Sequence, residues 1–231
     1  MATESRGPAD GDAASLGGES RWPMTVVLVT YVAITVVLAL AVPESEILGP
    51  RWLVPALEIA LLAALIAADP TQLHRRSKWL RPLAITLIVA LTVLAIVADV
   101  ELIVDLIEGN EVTNSATSLL ASGALIWLGT ALVFGLLYWE LDSGGPLARY
   151  QRRREFPDFA FTQQINPDLA PPGWRPRYVD YLALGFTTST AFSPTDVMPM
   201  APWAKLTMAL QSLISLTVIG LVIARAVNVF T

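Results

Sequence analysis

The sequence predicts an all-α polytopic transmembrane helix bundle with five long spans plus one short broken or re-entrant helix. Three observations carry this reading. Only 15 % of the 231 residues are charged and mean hydropathy is +0.57, whereas soluble domains hold about 25 % charged residues. The deficit is concentrated in five apolar runs of sixteen or more residues with almost no ionisable side chain, which is what a bilayer core requires. Lys and Arg gather in two of the intervening loops and Asp and Glu in the others, the asymmetry that orients membrane helices.

The first 22 residues are rich in Gly, Ala, Ser, Asp and Glu, too polar to build a core, and predict a disordered tail. Residues 23–141 hold four spans. The first, 24–42, carries no charge and stops at Pro43, Glu44 and Glu46. It ends near Ala39-Leu40-Ala41, as a cleaved signal peptide does, but the preceding region is long and not cationic. The second, 53–68, contains Glu58; the third, 83–98, is a run whose helix can continue past Asp99. The fourth, 119–139, ends in Tyr138 and Trp139, suited to an interface belt. Residues 142–177 form a polar loop with Pro157, Pro167, Pro171, Pro172 and Pro176, a composition that predicts an irregular cap or extended segment. Residues 206–224, within the unit 178–231, are the last clear span.

His74, Arg75, Arg76, Lys78 and Arg81 crowd the loop after span two, and Arg149 and Arg152–Arg154 follow span four. The loops after spans one and three are acidic, with Glu44, Glu46, Asp99, Glu101, Asp105, Glu108 and Glu111 against a single cation, Arg51. The N-terminus is therefore expected in the cytoplasm of a multi-pass inner-membrane protein. Residues 178–197 leave two topologies open. A re-entrant segment gives five crossings and an outside C-terminus; a crossing gives six and an inside one. The charge rule does not choose, because only Lys205 and Arg225 change sides.

The inventory excludes much chemistry. There is no Cys and a single His, His74, so disulfides, thiolate metal sites and cysteine nucleophiles are out and a zinc site lacks ligands. No G-x-S-x-G elbow presents a serine. The expectation is a protein that is not an enzyme, with no catalytic, cofactor or metal residues and no nucleic-acid partner. Its surroundings are the lipid bilayer.

Phe186-Thr187-Thr188-Ser189-Thr190-Ala191-Phe192-Ser193-Pro194-Thr195-Asp196, followed by Pro199, resembles the pore loop of small potassium channels, whose pattern is F-T-T-x-T-T-V-G-Y-G-D-x-x-P. Asp180 and Tyr181 before it and the apolar run to Arg225 after it resemble that family's pore and inner helices. The A-F-S-P-T-D core also looks like that of an uncharacterised group of bacterial integral membrane proteins. The resemblance implies a pore module lined by Thr187, Thr188, Thr190, Ser193 and Asp196, with Gln211 and Ser215 toward a cavity. It also implies several copies of the chain around one axis and monovalent cations as the permeant species. The filter itself departs from the family: Ser193 and Thr195 replace its glycines and Pro194 its tyrosine. Proline fixes φ and β-branched Thr resists positive φ, so potassium-type carbonyl rings are not expected. The competing reading of this segment is a broken half-helix packed in the bundle, its hydroxyls bonding backbone groups. The corresponding alternative function is a non-conducting scaffold that docks a partner through its Pro-rich cap.

Glu58 is an intramembrane carboxylate, a type that serves proton or cation paths. Its place near one end of span two favours an interfacial residue that snorkels or pairs with Arg51. Glu101, Asp105 and Glu108 share one face if the third helix continues, a solvated extension or a cation-attracting vestibule. Gln211 and Ser215, one turn apart, suit interhelical hydrogen bonds. The Arg152–Arg154 cluster suits topology or anionic lipid, and Gly123 and Gly129 permit close helix approach.

Overall fold

The computed structural model describes residues 22–41, 55–56, 58–59, 80–108, 116–151, 153–190 and 196–230. The N-terminal tail, most of span two, the basic stretch 74–79, and Ser193, Pro194 and Thr195 of the filter-like segment lie outside the described residues. The chain is mostly helical. Its long helices are α1 (Trp22–Ala41), α2 (Leu80–Glu108) and α3 (Ala116–Leu141). The cap follows with a short α4 (Pro146–Tyr150), strand β1 (Phe159–Phe161) and α5 (Thr162–Ile165). Then come α6 (Tyr178–Ser189), strand β2 (Val197–Pro199) and α7 (Pro202–Phe230).

Three segments, Pro82–Glu108, Thr117–Gly144 and Pro202–Asn228, are long and apolar enough to cross a membrane, and Met24–Leu40 is a shorter apolar helix. The described residues thus supply three full-length spans where five were expected. The third runs past Asp99 to Glu108 because the apolar pattern resumes at Val100, Leu102 and Ile103.

The central helix is α3. It is apolar on every side, and Leu119, Ala131, Phe134, Leu136 and Tyr138 are all buried, as befits a helix surrounded by others. It packs against α1, α2, α6 and α7. Glycine and small residues make this crowding feasible. A Cβ at Gly129 would sit 3.1 Å from the Tyr31 ring on α1, and one at Gly123 would meet Val222 on α7. The outward faces carry exposed apolar side chains such as Leu213 on α7 and Ile107 on α2, a surface matched to lipid.

One apolar cluster gathers at the cap end, from Met24 and Leu28 through Trp139, Phe159 and Tyr181 to Met208. A second, Leu102, Leu106, Leu119, Val218, Val222 and Ala226, lies at the far end. Helix α7 therefore runs from the cap to the far end. Between them, α6 and the two strands decide the path of the chain. β1 and β2 pair antiparallel in the cap, with Phe159 opposite Pro199, Ala160 opposite Met198 and Phe161 opposite Val197. Because α6 starts at the cap and β2 lies in it, the chain that left the cap in α6 is back at the same end of the bundle at β2. The twelve residues of α6 reach about 18 Å, roughly half of a hydrocarbon core.

Candidate functional site

Among the described residues, the polar side chains that bond between helices inside the apolar bundle fall into two places, either side of α3. The first is the tip of α6. A helix that stops in an apolar layer leaves its last carbonyls without partners, and backbone there must be satisfied by protein. Each of the last four is. The Phe186 carbonyl accepts from the Thr190 backbone N–H at 3.1 Å, and the Thr187 carbonyl from Thr190 Oγ1 at 2.8 Å. The Thr188 carbonyl accepts from Ser212 Oγ at 3.2 Å and the Ser189 carbonyl from Trp127 Nε1 at 3.1 Å.

Gln211 is the hub of this region. Completely buried, it donates from Nε2 to the Gly185 carbonyl at 2.8 Å and to Ser189 Oγ at 2.7 Å, and accepts the Tyr138 hydroxyl at Oε1. One side chain thus ties α7 to α6 and α3. Thr188 Oγ1 and Ser215 Oγ, both buried, have no partner among the described residues. Of the expected pore-lining residues, Thr188, Gln211 and Ser215 come together in this seam. Thr187 and Thr190 turn their hydroxyls back onto their own helix. Asp196 lies at the cap, exposed, its carbonyl accepting from the backbone and side chain of Thr162 at 2.9 Å.

The second place is a pair of carboxylates on the side of α3 facing α1 and α2. Asp99 is 1 % exposed and accepts from Thr130 Oγ1 at 2.7 Å. Glu58 is 2 % exposed and in contact with Thr35 Oγ1. Glu58 is thus buried against α1, and Arg51, its expected partner at an interface, lies outside the described residues. Tyr31 is in hydrogen-bonding range of Glu58 and in electrostatic range of Asp99, its ring seated on Gly129. Among the described residues no hydrogen bond to Glu58 Oε1 is formed, Tyr31 being the one donor in range of that carboxyl besides Thr35. Among the described residues no ion pair involves either carboxylate, and no three His, Cys, Asp or Glu side chains converge as a metal site would.

Asp99 was grouped with the loop acids because the apolar run stops at Ala98. The signal that separates it from them is present: Ile88, Leu91, Ala95, Leu102 and Leu106 form a buried stripe at helical spacing with Asp99 inside it. Glu101 and Asp105, off that stripe, are half-buried and Glu108 is exposed.

Comparison with protein-family models, with curated proteins and with solved structures finds no match to this chain.

A third network, in the cap, holds the base of α6. Asp142 ends α3 and accepts at Oδ1 from Ser143 Oγ at 2.8 Å and from the N–H groups of Asp158 and Phe159 at 3.0 and 3.2 Å. Its Oδ2 accepts the Tyr181 hydroxyl. Ser143 turns the chain at a φ of 53° and donates its N–H to Asp158 Oδ2 at 2.8 Å. Arg149 donates to the carbonyls of Trp139 and Asp142 at 2.6 and 2.9 Å, and its guanidinium lies 4.8 Å from the centre of the Tyr181 ring. The run Asp142-Ser143-Gly144-Gly145 after an apolar span is a turn signal. Its partners, sixteen and 39 residues on, leave no local trace.

Proposed function

We propose that this chain is a multi-pass membrane protein that moves protons or monovalent cations through the polar interior around α3, without potassium-type selectivity. The observation that carries the reading is the pair of carboxylates, Glu58 and Asp99, buried among helices with no cationic partner among the described residues. Intramembrane acids are costly and cluster on ion and proton paths. The re-entrant α6 contributes the opposite wall. Its tip carbonyls are occupied by protein donors, so it serves as packed structure beside the path and not as a ring of filter carbonyls. Both polar places lie within one chain, so the path does not depend on assembly of several copies.

The orientation follows from charge. Arg149, Arg153, Arg154, Arg175 and Arg177 belong to the cap, which by the positive-inside rule supports a cytoplasmic cap with the N-terminus on the same side. Re-entry of 178–199 from that side then gives five crossings and an outside C-terminus, inverting the channel family's loop, which dips from outside. Fusions at Thr231 should be active with a reporter that works only outside and silent with one that works only inside; the reverse pattern means that 178–199 crosses.

Purified protein in liposomes should dissipate a proton or sodium gradient faster than protein-free vesicles, with no preference for potassium, and Asp99→Asn should abolish the excess. Rates equal to empty vesicles would sink the proposal. They would favour a scaffold, a reading supported by the satisfied tip carbonyls of α6 and the organised cap.

A further inference from the structure

We infer that Glu58 binds an exchangeable proton, which it donates to Thr35 Oγ1, making Tyr31, Thr35, Glu58, Asp99 and Thr130 a proton-binding site. This rests on the reading of the carboxylate pair as part of an ion path and names the ion.

The argument is a count of hydrogens. A threonine hydroxyl has one proton to give. Thr35 Oγ1 lies 2.9 Å from the Val32 carbonyl, which can only accept, and the same oxygen is in hydrogen-bond contact with Glu58 Oε2. With the Thr35 proton on Val32, the contact to Glu58 needs a second proton, and the carboxyl is the group able to supply it. The surroundings agree. Glu58 is 2 % exposed, its Oε1 forms no hydrogen bond among the described residues, and the Tyr31 hydroxyl is the one donor in range of the carboxyl besides Thr35. An ionised carboxylate left so would carry uncompensated charge in an apolar medium. Among the described residues, the titratable group facing both Glu58 and Asp99 is Tyr31 from α1, and α3 adds the neutral Thr130 beside Asp99. No Lys, Arg or His among the described residues pairs with Glu58 or Asp99. A bound metal cation would require several converging ligands, and among the described residues no three His, Cys, Asp or Glu side chains converge.

The test is infrared difference spectroscopy on the full chain, detergent-solubilised at neutral pH. It reads the proton whether or not liposomes show flux, so the two proposals fail separately. The wild type should show a protonated-carboxyl carbonyl band that shifts in heavy water. Glu58→Gln, whose amide mimics the protonated acid, should fold and lose that band. Thr35→Val should keep the band but shift it, since the acceptor of the proton is gone; this variant carries the test if Glu58→Gln does not fold. A band that survives Glu58→Gln and vanishes in Asp99→Asn would overturn the assignment. So would a band insensitive to heavy water, which marks a sealed proton, or the absence of a band together with sodium-dependent thermal stabilisation, which marks a cation.

Discussion

Gly185→Ala should destabilise the protein by about 3–5 kcal/mol and detach α6 from α3. A Cβ at this position would lie 2.5 Å from the Ala131 carbonyl oxygen, 2.9 Å from the Gly135 nitrogen and 3.1 Å from its Cα. These are backbone atoms of the central helix, so no rotamer change relieves the clash. Overpacking alone costs roughly 1–3 kcal/mol. Moving α6 outward also stretches the bonds from Gln211 to Gly185 and from Trp127 to Ser189, each worth about 0.5–1.5 kcal/mol. Thermal unfolding in detergent measures the loss, and Trp127 emission reports whether its indole has left the Ser189 carbonyl. Gly220→Ala is the control, because nothing lies within 4 Å of a Cβ there; it should be neutral or slightly stabilising, alanine being favoured over glycine in a helix by up to about 1 kcal/mol. Equal stability of the two variants would mean that α6 is not held against α3 in this way.

Asp142→Ala should cost at least as much, by a different route. The carboxylate is 1 % exposed as a residue and receives four donors: Ser143 Oγ, the Asp158 and Phe159 N–H groups and the Tyr181 hydroxyl. Removing it strands buried donors at about 1–3 kcal/mol for each left unsatisfied. It also leaves Arg149, whose Nη1 lies 4.0 Å from Asp142 Oδ2, without its carboxylate; breaking a buried pair typically costs about 3–5 kcal/mol. Asp142→Asn, which keeps one acceptor oxygen, should lose less. The expected signature is a lowered melting temperature together with faster proteolysis in the cap, because the turn after α3, the start of β1 and the base of α6 are released together. Wild-type stability in Asp142→Ala would show that the cap is held by its aromatic packing alone. That packing, Phe159 against Tyr138, Tyr181 and Trp203, is the alternative source of strength.

The helices were legible because their signal is local. An apolar run bounded by polar residues needs nothing beyond itself to become α2, α3 or α7. Asp99 was legible as well, through the stripe that surrounds it, although reading the run as ending at Ala98 put it among the loop acids. Other features have no local signature. Gln211 meets Tyr138 from 73 positions away, and nothing near either residue announces the other. The expectation that Glu58 sits at an interface was an inference from distance along one helix. Its actual environment is made by α1, which brings Thr35 from 23 positions away.

By composition and periodicity alone, this chain reads as a membrane-embedded helical protein with most of its cations expected on one side, since both readings follow from transferring side chains between water and hydrocarbon. Only the tertiary structure decided that the chain, having left the cap in α6, is back in it at β2. Lys205 and Arg225 balance the charge rule, and the choice falls to contacts between distant segments: β1 pairing with β2, Gly185 against Gly135, and donors from α3 and α7 that allow a helix to end inside an apolar layer.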